Sequence, residues 1–118
     1  MKVTVRITQS FRVAAKPLLK KYHSLSLDLL KLEKELIENP RLGVSLGYDC
    51  YKIRLKISSK RKGKSGGARV ISMVETSLIG ILEVANEEIT VNLLSIYDKA
   101  DINNISDKEL KDLIKGLR

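Results

Sequence analysis

The 118-residue chain has one cysteine, one histidine, two prolines and no tryptophan. Cys50 has no second cysteine to bridge, and Cys50 with His23 is too small a set of soft ligands for a structural zinc. No apolar run approaches the ~20 residues of a membrane-spanning helix. The opening Met1-Lys2-Val3-Thr4-Val5-Arg6 alternates apolar with polar or charged residues and lacks the apolar centre of a secretory signal. These absences predict a cytosolic chain with no membrane contact, no metal and no cofactor. Its length suits one domain spanning residues 1–118. Aromatic residues make up only 4% of the chain, few for a noncatalytic module that holds single-stranded RNA by stacking.

Acidic residues are also missing from one long window. Between Cys50 and Val70 stand eight cations, Lys52, Arg54, Lys56, Lys60, Arg61, Lys62, Lys64 and Arg69, with no Asp or Glu among them. The chain has 22 basic and 14 acidic residues, so outside this window the charges balance. The net charge of +8 therefore belongs to one segment. Such concentration suits a polyanion, because phosphate contacts supply affinity that is independent of sequence and speed electrostatic capture. A merely solvated loop is the competing reading.

Val3, Val5 and Ile7 alternate with Thr4, Arg6 and Thr8, which predicts a strand over about residues 2–8. Ser10 is positioned to cap a helix carrying Phe11, Ala14, Ala15, Leu18 and Leu19, with Pro17 predicting a kink or a later start. Ser24 or Ser26 opens a second helix with Leu25, Leu29, Leu32 and Leu36 inward and Lys31, Glu35 and Glu38 outward, ended by Asn39-Pro40. The short link around His23 makes the two helices antiparallel neighbours. Residues 41–49 read as a loop. From Cys50 to Ile57 the alternation is clean: Tyr51, Ile53, Leu55 and Ile57 share one face, Lys52, Arg54 and Lys56 the other.

The Ser-, Gly- and Lys-rich segment 58–67 reads as a basic loop. Strands are predicted at 68–76, 81–85 and 89–97, with a turn at 86–88. Ser106-Asp107-Lys108-Glu109 fits a capping box for a last helix with Leu110, Leu113, Ile114 and Leu117 as its apolar stripe. The order predicts an α+β domain: an antiparallel sheet of about four strands, two N-terminal helices packed on one face, and a C-terminal helix. With the helices on one face, the other is left free for function.

Three cations at every second position of one strand repel each other unless an anion lies over them. A solvated sheet face carries such residues too. No Ser-His-Asp set is recognisable, and the basic window holds no carboxylates for a metal-dependent nuclease. RNA cleavage without metal remains open, because the ribose 2′-hydroxyl supplies the nucleophile. The protein then needs only to orient, move protons and stabilise phosphorane charge. A lysine crowded by other cations is a candidate general base.

The segment Asp49-Cys50-Tyr51-Lys52-Ile53-Arg54-Leu55 resembles the second-strand motif of RelE toxins. Asn39-Pro40, Lys64-Ser65-Gly66-Gly67-Ala68-Arg69-Val70-Ile71 and Leu93-Leu94-Ser95-Ile96-Tyr97-Asp98-Lys99 are similar to the RelE/HigB branch in order and spacing. The resemblance spans nearly the whole chain and implies a RelE-like fold. It also implies a type II toxin that cuts mRNA in the ribosomal A site by 2′-hydroxyl attack and is restrained by a cognate antitoxin in a hetero-oligomer. By resemblance the catalytic cations fall on Lys52, Arg54, Arg69 and Lys99, with Lys52 the proton acceptor, directly or through a relay, and the others holding the scissile phosphate.

RelE also uses a last-helix tyrosine, which the helix predicted from Asp107 to Leu117 lacks. Tyr97 is the candidate substitute, with core packing as its competing role. Lys56, Lys60, Arg61, Lys62 and Lys64 are expected to grip mRNA and ribosomal RNA. A ParE-like gyrase inhibitor is the alternative, and it would have no need of the four catalytic cations.

Overall fold

A computed structural model describes residues 2–60, 67–78, 87–101 and 104–117. The elements run β1 (Lys2–Ile7), α1 (Gln9–Lys21), α2 (Leu25–Glu38), β2 (Val44–Gly47), β3 (Cys50–Lys56), β4 (Gly67–Leu78), β5 (Glu87–Asp98) and α3 (Asp107–Leu117). The strands form one five-stranded sheet in the order β1-β5-β4-β3-β2. Its β5-β4-β3-β2 part is antiparallel, but β1 pairs parallel to β5, with Val3 opposite Ile89 and Ile7 opposite Leu93.

The α+β class and the three helices match expectation, whereas the sheet gains a strand and a mixed character. Alternation reports which face a side chain takes and carries no information on strand direction, so the parallel pairing was not legible. The additional strand β2 lies in the segment read as a loop. Four residues preceded by Gly43 and ending in Gly47 are a weak strand signal, and β2 forms because β3 templates it through Val44 opposite Lys52 and Gly47 opposite Cys50. Glu87 and Glu88, expected in a turn, belong to β5. The predicted strand at 81–85 lies outside the described residues.

Helix α1 starts earlier than expected. Thr8 is its cap: the hydroxyl accepts from the Phe11 amide at 3.2 Å and donates to the Leu93 carbonyl at 2.8 Å. Ser10 lies inside the helix and ties it to β5 by donating to the Leu94 carbonyl at 2.6 Å. Pro17 is exposed within an uninterrupted helix, which needs to forgo only one internal hydrogen bond there. Ser24 caps α2 by position, but its hydroxyl donates to Asp28 at 2.8 Å. Asp28 in turn accepts from the Ser58 amide and hydroxyl at 3.0 and 2.6 Å, fastening the end of β3 to α2.

The helices do not share one face. Phe11, Leu18, Leu32 and Leu36 of α1 and α2 pack on Ile53, Leu55, Val70, Val91 and Ile96. Helix α3 packs on the opposite face, where Leu110 joins Cys50, Ile71, Met73, Leu94 and Tyr97. The face expected to be free is thus half covered. The cause lies in β4, which presents Val70 and Val74 to one face and Ile71 and Met73 to the other, with a register shift between Ile71 and Ser72. A sheet apolar on both sides must be covered on both sides. Ser106 caps α3 as expected, its Oγ accepting from the Glu109 amide at 3.1 Å, but it also donates to the Glu109 carboxylate at 2.9 Å, so Glu109 closes on the hydroxyl rather than on the Ser106 amide of a full capping box.

Candidate functional site

What α3 leaves uncovered is the end of the sheet where the cations stand. Ile53 and Leu55 anchor β3 in the α1/α2 core, and the pleat turns the intervening side chains to the other face. Lys52 is half-buried there; Arg54 and Lys56 are exposed. Across the sheet Arg54 stands directly opposite Arg69 of β4, and Arg69 opposite Tyr97 of β5. Just beyond β5, the Lys99 amide donates to the Gly67 carbonyl at 3.1 Å, which sets Lys99 beside the start of β4. Lys52, Arg54, Arg69 and Lys99 line one cavity of about 650 Å³.

Like charges placed directly opposite on a sheet are destabilising. Yet the described residues contain no carboxylate within ion-pair distance of any of the four; the ion pairs found are Lys60–Asp98 and Lys111–Asp107. Arg69 is the most telling of them. It is 7% exposed, and its guanidinium donates to the Ala68 carbonyl at 3.1 Å without a countercharge among the described residues. A buried cation without a partner is costly, and an anion in the cavity would remove that cost.

The backbone around the cavity is made for close approach. Gly43 has φ +108°, and a Cβ there would lie 2.5 Å from the Lys52 carbonyl oxygen. Glycine lets the chain cross hard against β3 just before β2 begins. A Cβ on Gly67 would lie 2.8 Å from the Leu55 carbonyl oxygen. Two cavity residues escaped the reading of the sequence. Asn104 accepts a hydrogen bond from Lys52 Nζ at 3.1 Å across 52 positions of chain, a distance no local pattern reveals. Glu35, read as an outward helix position, is indeed exposed, but it also lines the cavity. Nothing in the sequence set it apart from Glu33 and Glu38, the other exposed carboxylates at this end of the helix.

The remaining candidates separate. Tyr97 is absent from the cavity lining and sits 8% exposed in the α3 core. Among the described residues its hydroxyl has no hydrogen-bond partner of good geometry. Burial raises its pKa, outweighing the Arg69 charge and the Ile105 backbone, which pull the other way. Lys56 projects at the end of β3 and lines a neighbouring hollow. Lys60 is engaged: its ammonium meets Asp98 at 2.9 Å and lies 5.3 Å from the Tyr22 ring centre. Burial alone would raise the Asp98 carboxyl, but hydrogen bonds from Tyr22, the Ala100 amide and Lys60, with the Lys60 charge, hold it at about 2. Arg61, Lys62 and Lys64 lie outside the described residues.

Cys50 is fully buried, and burial first, then the Asp49 charge, push its thiol up to about 11, far from a nucleophile's range. Among the described residues no three His, Cys, Asp or Glu side chains gather as a metal-binding group, and no helix is long and apolar enough to cross a membrane.

No protein-family model matches the chain, and no curated protein does. Among solved structures it is similar to the E. coli toxin RelE, in a form with two arginines replaced by alanine and in the free state. The TM-score is 0.54 at 19% identity, with 100% of each chain covered. That similarity, over the full length of both chains, gives the chain a RelE-like fold.

Proposed function

We propose that this chain is the toxin of a type II toxin–antitoxin pair and a metal-independent endoribonuclease that cuts mRNA in the ribosomal A site. The observation that carries this reading is the convergence of Lys52, Arg54, Arg69 and Lys99 on one cavity, none of them in an ion pair among the described residues. A cavity of about 650 Å³ falls within the range of small-ligand sites. Its charge suits a phosphodiester whose transition state gains negative charge.

The chemistry needs only the RNA and the side chains that line this cavity. The ribose 2′-oxygen attacks the adjacent phosphorus, the bond from phosphorus to the 5′-oxygen breaks, and a 2′,3′-cyclic phosphate and a 5′-hydroxyl result. Arg54 and Arg69, facing each other across β3 and β4, hold the non-bridging oxygens and gain most as charge builds there. Lys99 adds a third positive charge, and Lys52, held by Asn104, takes part in moving the proton. Lys56 with Arg61, Lys62 and Lys64 tracks the flanking mRNA and ribosomal RNA backbone. Lys60 supports the fold through Asp98. Tyr97 acts as a core residue.

A cytoplasmic chain of this kind must be neutralised in its own cell. An antitoxin that covers the cation cavity or displaces α3 does so, giving a hetero-oligomer with complementary charge.

The test is cleavage of mRNA on programmed ribosomes, with mapping of the new ends. Wild type is expected to cut in the A site, and an Arg54→Ala/Arg69→Ala double variant is expected to lose about 10³-fold or more, as when preorganised charge stabilisation is removed. Inhibition of DNA gyrase without any A-site cut would sink the ribonuclease reading.

A further inference from the structure

The cavity's polar lining consists of Glu35, Lys52, Arg54, Arg69, Lys99 and Asn104. Without Glu35, that set is short of one part of the chemistry. Removing a proton from a 2′-hydroxyl requires a group that arrives without it. Arginine keeps its proton throughout the working range, and the asparagine amide is no base. Lysine ordinarily keeps its proton to well above neutral pH. Lys52 moreover donates from Nζ to Asn104 Oδ1, which holds it as a hydrogen-bond donor. A carboxylate is the one side chain in this lining that is ordinarily ready to accept a proton at neutral pH.

Glu35 has the position for it. Strand β2 pairs with β3 only as far as Lys52 and leaves the edge of β3 open from Ile53 onward. Helix α2 packs beneath that edge through Leu32 and Leu36, which places Glu35, between them in sequence, at the mouth. Glu35 and Arg54 are the two residues that line both the main cavity and the hollow beside it, so they face a common boundary. Glu35 nevertheless makes no ion pair with Arg54, Lys52 or Lys31. Its carboxylate is therefore not consumed by a structural contact among the described residues.

We infer that Glu35 is the proton acceptor of the cleavage step, an inference that rests on the ribonuclease reading above. The Glu35 carboxylate takes the proton of the 2′-hydroxyl as that oxygen bonds to phosphorus. The departing 5′-oxygen takes a proton from the Lys52 ammonium, and solvent then returns the proton from Glu35 to Lys52. Atoms and charge balance without a further reactant. Lys52, which the resemblance made the acceptor, becomes the donor.

The experiment measures single-turnover cleavage on mRNA-programmed ribosomes across pH for wild type, Glu35→Gln, Glu35→Asp and the outward control Glu38→Gln, with thermal melting of each. The groups facing Glu35 are Lys52, Arg54 and Lys56 of β3, Arg69 of β4, Lys99, and Asp28 and Lys31 of its own helix. The expected result is a loss of about 10²- to 10³-fold in Glu35→Gln with an unchanged melting curve, partial recovery in Glu35→Asp, and no loss in Glu38→Gln. Wild-type rate should fall at acid pH as the carboxylate protonates, and Glu35→Gln should lack that limb.

A Glu35→Gln variant that cuts at the wild-type rate overturns the inference and leaves the ribonuclease reading standing. So does a slowed variant that keeps the acid limb, because Glu35 would then only position Arg54. Absence of cleavage by wild type itself overturns both.

Discussion

Arg54 and Lys60 belong to the same basic window, yet the fold treats them oppositely. Lys60 is turned inward against Asp98, which is itself bound by the Tyr22 hydroxyl at 2.6 Å and the Ala100 amide at 3.0 Å. Arg54 is set against another arginine, with no carboxylate in ion-pair reach among the described residues. The first arrangement strengthens the fold, and the second weakens it. Natural chains tolerate such local weakness where it serves a ligand. The contrast teaches that the number of positive charges in a window is a poor guide to function, and that uncompensated charge is a better one.

Exchanging the two regions' roles by mutation is the sharpest way to break that contrast. The cleft side should show the largest effect, on activity alone. Arg54→Ala/Arg69→Ala should lose about three orders of magnitude in cleavage. The single Arg54→Ala, read by urea unfolding, should leave stability unchanged or raise it by about 0.2–1 kcal/mol through relief of the opposed charges. A marked destabilisation by Arg54→Ala would show that the pair is structural after all.

Next comes Gly43→Ala, which forces a side chain to a positive φ and against the Lys52 carbonyl. It should cost on the order of 2–4 kcal/mol of stability and, by shifting β3, slow cleavage as well. Unchanged unfolding would mean that the loop before β2 gives way easily.

The Lys60 side should show the converse pattern, stability without activity. Asp98 is depressed to about 2 from 3.8, so its contribution is present above the ordinary value and disappears as pH falls through about 2. Asp98→Asn should therefore lose about 2 kcal/mol at neutral pH. The wild-type and variant unfolding curves should converge between about pH 4 and pH 2, the range bounded by those two pKa values. Persistence of the difference at pH 2 would argue that packing, not charge, holds Asp98. Lys60 is raised, since Asp98 and Tyr22 outweigh its burial, so its share is present below 10.5 and is lost at still higher pH.

The smallest effect belongs to Tyr97→Phe. Removing a buried hydroxyl that lacks a partner among the described residues should change stability by no more than about 1 kcal/mol, in the stabilising direction, and leave cleavage within about twofold. A hundredfold loss of cleavage would restore Tyr97 to the reaction.

Much of this was legible along the chain. The alternation from Tyr51 to Ile57 placed Lys52 and Arg54 on one face because a pleat has a period of two, whatever surrounds it. Ser106 and Glu109 announced α3, since a capping box is made within one turn. Thr8 was overlooked as a cap because Ser10 satisfied the same local rule, and only the Leu93 carbonyl behind Thr8 decided between them. The covering of the second face was not legible, because strand propensity at Ile71 and Met73 does not say which layer each side chain meets.

The sequence by itself determined the properties that depend on neighbours along the chain: the helices, the alternating strands and the concentration of charge between Cys50 and Val70. Tertiary structure alone decided which of those charges are neutralised, because a counterion is chosen in space. Asp98 meets Lys60 across 38 positions, and Asn104 meets Lys52 across 52. It also decided that β1 runs parallel to β5 and that Tyr97 lies under α3, since long-range pairing and burial are settled only when the whole sheet assembles.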